Sequence, residues 1–243
     1  MMDIAFFQDV FLRLLGGVPL TLQLAGISLS IGFVLAVVLA IALHNASPLV
    51  VLPLRGYVAL FRGTPLLVQI FLIYYGLGQF RPSLQAMGVW WLFREPYWCV
   101  ILALTLNTAA YGAEILRGGL QSVPAGQIEA ALACGMSRGL LYRRIVLPLA
   151  FRQALPAYGN EIILMVKGTS LASIVTLLEV TGIAHQIISQ TYRAIEVFIC
   201  AGAIYLILNF AITRALAWLE HRLSPHLRPP PAARSATQKG EAA

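Results

Sequence analysis

Two charged residues interrupt an otherwise apolar stretch of this chain. Glu161 and Lys167 lie six positions apart within residues 153–178. On one helix this spacing turns them about 240° apart, so the two side chains point to different faces and need different partners. If the stretch crosses a membrane, such costly charges mark paired sites or the path of a polar solute. Glu161 is therefore interpreted either as a structural ion-pair member or as a contact for substrate, and Lys167 as a structural or gating residue.

Polar side chains nearby extend this set of candidates. Thr169 and Ser170 follow Lys167 closely, and Asn107 lies in the middle of another apolar stretch. An amide at that depth either hydrogen-bonds another helix or lines a pathway, and both interpretations stay open. The candidate pathway residues are Glu161, Asn107, Lys167, Thr169 and Ser170.

Arg62 and Glu114 are candidates for a gate near the inner membrane face. Arg62 precedes Gly63-Thr64-Pro65, in which proline suits the first turn of a helix and threonine suits its N-cap. The arginine then either extends to the membrane surface or borders a gate or a contact with a partner subunit. Glu114 precedes Arg117 by three positions, so the two could also simply pair on one helix face.

A basic segment, residues 129–148, separates two apolar stretches. It reads E-A-A-L-A-C-G-M-S-R-G-L-L-Y-R-R-I-V-L-P. Pro124 and the alanine- and glutamate-rich run after it predict a short helix, and Gly135 predicts a turn. A second short helix is expected to follow and to end at Pro148. Two short helices at an angle would form a compact knob.

This segment resembles the EAA loop of ATP-binding-cassette importer permeases. The pattern is Glu-Ala-Ala, three residues, Gly, nine residues, then Ile-x-Leu-Pro, and every position and spacing is matched. The matching residues are Glu129, Ala130, Ala131, Gly135, Ile145, Leu147 and Pro148. The resemblance implies that residues 121–153 form a cytoplasmic coupling loop, through which a separate ATPase moves a membrane subunit.

The composition is that of a membrane protein. Hydrophobic residues make up 59% of the 243 residues and charged residues 11%, whereas soluble domains carry about a quarter charged residues. Membrane spans of this kind are helices, because backbone groups in lipid must be bonded internally. We therefore expect an all-α integral membrane protein with five transmembrane helices. The predicted spans are residues 14–43, 63–80, 96–113, 153–178 and 197–213.

Basic residues set the predicted orientation, because they favour cytoplasmic loops. With the N-terminus outside, twelve arginines and lysines lie inside and four outside, namely Arg13, Arg81, Arg94 and Arg193. The prediction is an outside N-terminus and a cytoplasmic C-terminus. This asymmetry also explains the net charge of +7 without a nucleic-acid partner.

The chain divides into three predicted regions. Residues 1–17 are expected to form an amphipathic segment at the outer membrane face. Residues 18–222 form the transmembrane type-1 permease domain, with a short inner loop at residues 44–55. Residues 223–243, rich in proline, serine and alanine, are predicted to be a disordered cytoplasmic tail.

The family resemblance covers about residues 18–222 and implies the type I importer permease fold. The string R-G-T-P-L resembles that of five-helix permeases for polar amino acids. The strings N-E-x-I-L-M and K-G-T-S-L look most like those of members that import arginine, lysine, ornithine, histidine or arginine-derived opines. The implied partners are two ATPase subunits, a second permease subunit (identical or related) and a periplasmic binding protein. The implied location is the bacterial inner membrane.

Other function classes fit the sequence less well. The chain has no G-x-x-x-x-G-K-[ST] string, so ATP and Mg²⁺ are expected on the partner ATPase and no cofactor on this chain. Four scattered histidines form no metal or catalytic cluster, and Cys99, Cys134 and Cys200 are expected to be core residues rather than disulfide or metal ligands. The alternative is an ion-coupled secondary transporter with Glu161 and Lys167 as coupling charges.

Overall fold

The computed structural model describes residues 4–223, and within that range every regular element is a helix. The helices are α1 (Ile4–Leu15), α2 (Val18–Asn45), α3 (Pro48–Gly63), α4 (Leu66–Phe71), α5 (Arg81–Ala86), α6 (Trp90–Arg94), α7 (Pro96–Gln121), α8 (Ala125–Ala133), α9 (Arg138–Leu141), α10 (Leu147–Gly168), α11 (Val180–Thr191) and α12 (Ala194–Leu223). Two π-helical turns (Leu72–Gly76 and Tyr142–Val146) and a 3-10 segment (Thr169–Val175) extend neighbouring helices. The prediction of an all-α chain is confirmed.

Three helical runs are long and apolar enough to cross a membrane. They are Ile4–His44, Pro96–Gln121 and Ala194–Arg222. Two further runs are bent: α3 and the α4 run by 110°, and Arg138–Val175 and α11 by 45°. If each bent pair crosses once, the described residues cross five times, which is the predicted number.

Helix α7 lies at the centre of the fold. It packs against α2 and α10 along much of its length, and Leu104, Ala109 and Ala113 on it are fully buried. A side chain at Gly119 would approach the carbonyl oxygen of Ala150 to 2.5 Å, so glycine lets α7 and α10 come together closely. The central position of α7 places Asn107 and Glu114 beside α10 and α3.

A cluster of buried hydrophobic side chains joins the two ends of the described chain. Val10 and Leu14 of α1 pack against Val180 and Ile187 of α11 and Ile204 of α12. The segment predicted for residues 1–17 is therefore helical from Ile4 to Leu15, with one apolar side held against α11 and α12. The predicted tail of residues 223–243 lies outside the described residues, except that Leu223 ends α12.

Three expectations, about a loop, a helix cap and a buried cysteine, are wrong. Residues 44–55 are mostly helical rather than a loop, because Pro48 lies in the first turn of α3, where its missing N–H is not needed.

Thr64 does not cap α4. Its hydroxyl donates to the carbonyl of Leu60, four residues earlier, over 2.8 Å, and Pro65 is the N-cap residue. Cys134 is exposed, because it ends α8 at the turn rather than in a core.

Candidate coupling loop and polar cavity

The coupling loop contains two helical segments separated by a turn, as its sequence predicts. Helix α8 begins directly after Pro124 and ends before Gly135, whose φ of +77° lies in the left-handed region that favours glycine. Ser137 then starts α9, and its hydroxyl accepts the N–H of Leu140 over 3.4 Å. The glycine of the motif therefore makes the sharp turn that separates the two helices.

The coupling loop is packed internally. Ala131 of α8 lies in one apolar cluster with Leu141, Val146 and Ala150 of the run that follows the turn. Glu129 on the other side of α8 is exposed. Residues from both ends of the motif also line one groove of about 530 Å³, among them Ala130, Ala131, Ile145 and Pro148. The motif thus forms a compact knob with an exposed acidic residue.

Pro148 does not end the second helix, contrary to the sequence-based expectation. The run from Arg138 continues through the π-helical turn Tyr142–Val146 into α10. The N–H of Leu147 bonds to the carbonyl of Tyr142, five residues back, and this wider turn gives room for the ring of Pro148 in the first turn of α10. The knob is therefore continuous with a long membrane helix.

Glu161 lies in the middle of α10 and faces a polar cavity of about 250 Å³. The cavity is lined by Thr64, Pro65, Leu66, Asn107, Tyr111, Glu161, Leu164 and Met165. The glutamate is 6% exposed, and its carboxylate makes no hydrogen bond or ion pair among residues 4–223, although the positive charge of Arg62 acts on it from farther away. A carboxylate in such surroundings needs a counter-charge or a donor from elsewhere.

The two predicted gate residues lie together at the edge of this cavity. Nη1 of Arg62 is 3.9 Å from Oε2 of Glu114, and the Arg62 guanidinium lies 5.4 Å from the ring centre of Tyr111, which lines the cavity. Glu114 also accepts a 2.6 Å hydrogen bond from Nη2 of Arg117. Glu114 and Arg117 therefore pair on one face of α7, as their spacing allows.

Asn107 is held by a residue that the sequence analysis did not single out. Its Nδ2 donates to Oε1 of Gln69 over 2.9 Å. The Nε2 of Gln69 donates in turn to the carbonyls of Phe61 (2.7 Å) and Thr64 (3.0 Å). Asn107 thus both bonds another helix and lines the cavity. In the sequence, Gln69 stands out only as a polar residue within the apolar run of α4. The sequence does not show that Asn107 is its hydrogen-bond partner.

The remaining pathway candidates lie away from the polar cavity. Lys167 is exposed near the end of α10. Thr169 is fully buried, and its hydroxyl donates to the Val166 carbonyl over 2.7 Å. Ser170 likewise donates to the Lys167 carbonyl over 2.7 Å. The structure therefore brings together Glu161, Asn107, Arg62 and Glu114. The other candidates, Lys167, Thr169 and Ser170, lie elsewhere.

A second buried carboxylate was missed by the sequence analysis. Glu179 precedes α11 and is fully buried. It accepts hydrogen bonds from the hydroxyl of Tyr205 (2.6 Å) and the N–H of Gly182 (2.9 Å). The sequence signal was weak, because Glu179 follows directly after the predicted fourth span, where an acidic residue could equally face water.

Comparison with known proteins places these features in a family. Residues 28–225 match the model of the binding-protein-dependent transport system inner membrane component. The chain belongs to this family. Its members are inner-membrane components, so this permease is a multi-pass protein of the inner membrane and a transporter subunit rather than an enzyme.

Individual relatives in the family are similar over nearly the whole chain. The octopine transport system permease protein OccM of Rhizobium radiobacter is 58% identical over 226 residues, with 93% of this chain and 92% of OccM covered. The nopaline transport system permease protein NocM of Agrobacterium fabrum is 57% identical, with 93% and 94% covered. The arginine ABC transporter permease protein ArtM of Haemophilus influenzae is 39% identical, with 89% and 95% covered.

Solved structures share the permease fold. An amino acid ABC transporter crystallised with histidines matches with a TM-score of 0.81 and 32% identity, over 91% of this chain and 99% of the other. The methionine ABC transporter MetNI in an inward-facing conformation matches with a TM-score of 0.71 and 21% identity, which supports the fold alone. The predicted type I importer permease fold is confirmed.

Proposed function

We propose that this permease carries basic amino acids or arginine-derived opines into the cytoplasm, moved by a separate ATPase through the coupling loop. The observation that carries the proposal is the continuity of one helical run. The complete EAA motif lies on an exposed knob, and the second half of that knob continues without a break into α10. Helix α10 carries Glu161 at the polar cavity.

The chemistry of the cavity supports a cationic substrate. Glu161 is a nearly buried carboxylate that makes no hydrogen bond or ion pair among the described residues and has only the more distant Arg62 to offset its charge. An ammonium or guanidinium group on the substrate would supply the missing counter-charge. The names of OccM, NocM and ArtM refer to octopine, nopaline and arginine, which favours the same class of substrate. Asn107 and Tyr111 would add polar contacts from α7.

Other chains supply the remaining subunits of the transporter. We assign ATP and Mg²⁺ to two ATPase subunits and capture of the substrate to a periplasmic binding protein. A second permease subunit, identical or related, completes the pathway. The N-terminus faces outside, and the coupling loop and the C-terminus face the cytoplasm. Lys167, exposed near the end of α10, would face the second subunit and serve in gating.

ATP binding then drives transport through the coupling loop. Closure of the ATPase subunits displaces the knob, and because the helical run from Arg138 to Val175 is continuous, α10 moves with it. This movement shifts Glu161 relative to α4 and α7. The cluster of Arg62, Glu114 and Arg117 lies beside the cavity, and its rearrangement would open or close the path.

Uptake by the reconstituted complex tests the proposal. Proteoliposomes containing the permease and its partner ATPase are supplied with binding protein and labelled arginine. We expect uptake that requires ATP on the ATPase side and binding protein on the other, and that persists when ionophores remove ion gradients. Uptake that follows an ion gradient and needs no ATPase would instead support the ion-coupled alternative and overturn the proposal.

A further inference from the structure

Glu179 is a fully buried carboxylate that takes no part in the polar cavity. It lies in a short break, residues 176–179, which we call the elbow, where the helical run from Arg138 bends by 45° into α11. Its Oε1 accepts the N–H of Gly182 over 2.9 Å and so caps the first turn of α11. Burying a carboxylate costs free energy unless several hydrogen-bond donors surround it, so Glu179 needs donors besides Gly182.

The second oxygen of Glu179 reaches two other helices. Its Oε2 accepts the hydroxyl of Tyr205 on α12 over 2.6 Å and that of Thr21 on α2 over 3.4 Å. The Tyr205 hydroxyl also lies 3.2 Å from that of Thr181 in α11. One side chain therefore ties the elbow to α2, α11 and α12.

The backbone at the elbow is held by close packing as well. A side chain at Gly17, between α1 and α2, would approach the backbone nitrogen of Val180 to 2.5 Å, so the two backbones are in direct contact. Thr176 has a φ of 69°, a left-handed conformation that residues other than glycine keep only when their surroundings enforce it. These contacts hold the backbone of the elbow in one position.

The location of the elbow connects it with transport. The helical run from Arg138 to Val175 carries the coupling loop at one end, Glu161 in its interior and the elbow at the other end. A displacement at the coupling end can tilt the run only if its far end is held. If the far end were free, the run would shift as a whole and Glu161 would keep its orientation.

We propose that Glu179 is a positioning residue for transport, which fastens the elbow to α2 and α12 so that movement of the coupling loop tilts α10. This proposal rests on the proposed transport function. Glu179 acts through Tyr205 and Thr21 and does not touch the substrate. Without the full set of bonds, the complex still hydrolyses ATP, but each hydrolysis moves less substrate.

The variant Tyr205→Phe tests this role with a minimal change, because it removes one hydroxyl and keeps the ring. Labelled arginine uptake and ATP hydrolysis are measured on the same proteoliposomes of the full complex. We expect uptake per ATP to fall by about tenfold or more, the shift that one hydrogen bond to a buried carboxylate gives to a two-state equilibrium. The matched control is Tyr192→Phe, whose side chain is 89% exposed, and it should keep the wild-type ratio.

Two substitutions at Glu179 separate positioning from folding. Glu179→Gln keeps the size of the side chain and groups that can bond Gly182 and Tyr205, so it should retain more coupling than Glu179→Leu. A wild-type ratio in Tyr205→Phe would overturn the proposal, as would a parallel loss of uptake, ATP hydrolysis and assembled complex. Failure of the proposed function is a different result, since the wild-type complex itself would then show no ATP-driven uptake.

Discussion

Asn107 and Gln69 form an amide pair, in which Nδ2 of Asn107 donates to Oε1 of Gln69 over 2.9 Å. Gln69 also donates to the Phe61 and Thr64 carbonyls, which lie at the 110° bend between α3 and α4. The pair therefore joins the central helix α7 to the bend and fixes one wall of the polar cavity.

Replacing Asn107 by leucine is expected to destabilise the permease by about 1–3 kcal/mol, because Oε1 of Gln69 is left buried without its donor. The double variant Asn107→Leu/Gln69→Leu should cost less than the sum of the two single variants, since it leaves neither side-chain amide buried without the other. Thermal unfolding of the purified complex measures both effects. Asn160→Leu, at an exposed amide on α10, is the matched control. Strictly additive losses would show that the two amides are not coupled.

The sequence predicted the parts of this fold that depend on local patterns. Continuous apolar stretches indicated the long helices, and the turn at Gly135 followed from a glycine between two helix-forming runs. The structural role of two prolines differs from the prediction. Pro48 looked like part of a loop but starts α3, and Pro148 looked like a helix end but is accommodated by the preceding π-helical turn.

Glu161→Gln is expected to reduce uptake of cationic substrates selectively. Each charge-assisted contact contributes about 1.5–3 kcal/mol, so the loss should be about tenfold or more for arginine and much smaller for a neutral amino acid. Uptake in proteoliposomes is compared after the assembly and basal ATP hydrolysis of the variant have been checked. Glu95→Gln, at a half-exposed glutamate paired with Arg94, provides the control. An equal loss for both substrate types would assign Glu161 a structural role.

The predicted orientation places Leu84, in α5, outside and Ser137, at the start of α9, inside. Single cysteines at these positions, in a background without Cys99, Cys134 and Cys200, are treated with a membrane-impermeant thiol reagent. We expect labelling of position 84 from the periplasmic side, and labelling of position 137 only after the membrane is opened. Periplasmic labelling of position 137 would contradict the orientation.

The candidate site was predictable only in part, because residue partners depend on tertiary contacts. Arg62 and Glu114 were singled out for their types, and their side chains lie 3.9 Å apart. Thr169 was singled out for its neighbours, but its hydroxyl bonds the Val166 carbonyl and it does not line the cavity. Gln69 and Glu179 carry no local motif. Their importance comes from the helices that they join, and spacing along the chain does not reveal this.

The central claim, that an ATPase moves this permease through the coupling loop, is tested most directly by uptake per ATP hydrolysed in Glu129→Lys and Gly135→Asp. Glu129 is exposed on α8, and Gly135 makes the turn with a φ of +77°. Gly135→Asn is the matched control, since asparagine tolerates the left-handed conformation without adding charge. We expect both test variants to insert and assemble, but to move about tenfold less substrate per ATP, the loss typical of a disrupted interface contact. An assembled Glu129→Lys or Gly135→Asp complex with the wild-type ratio would contradict the claim.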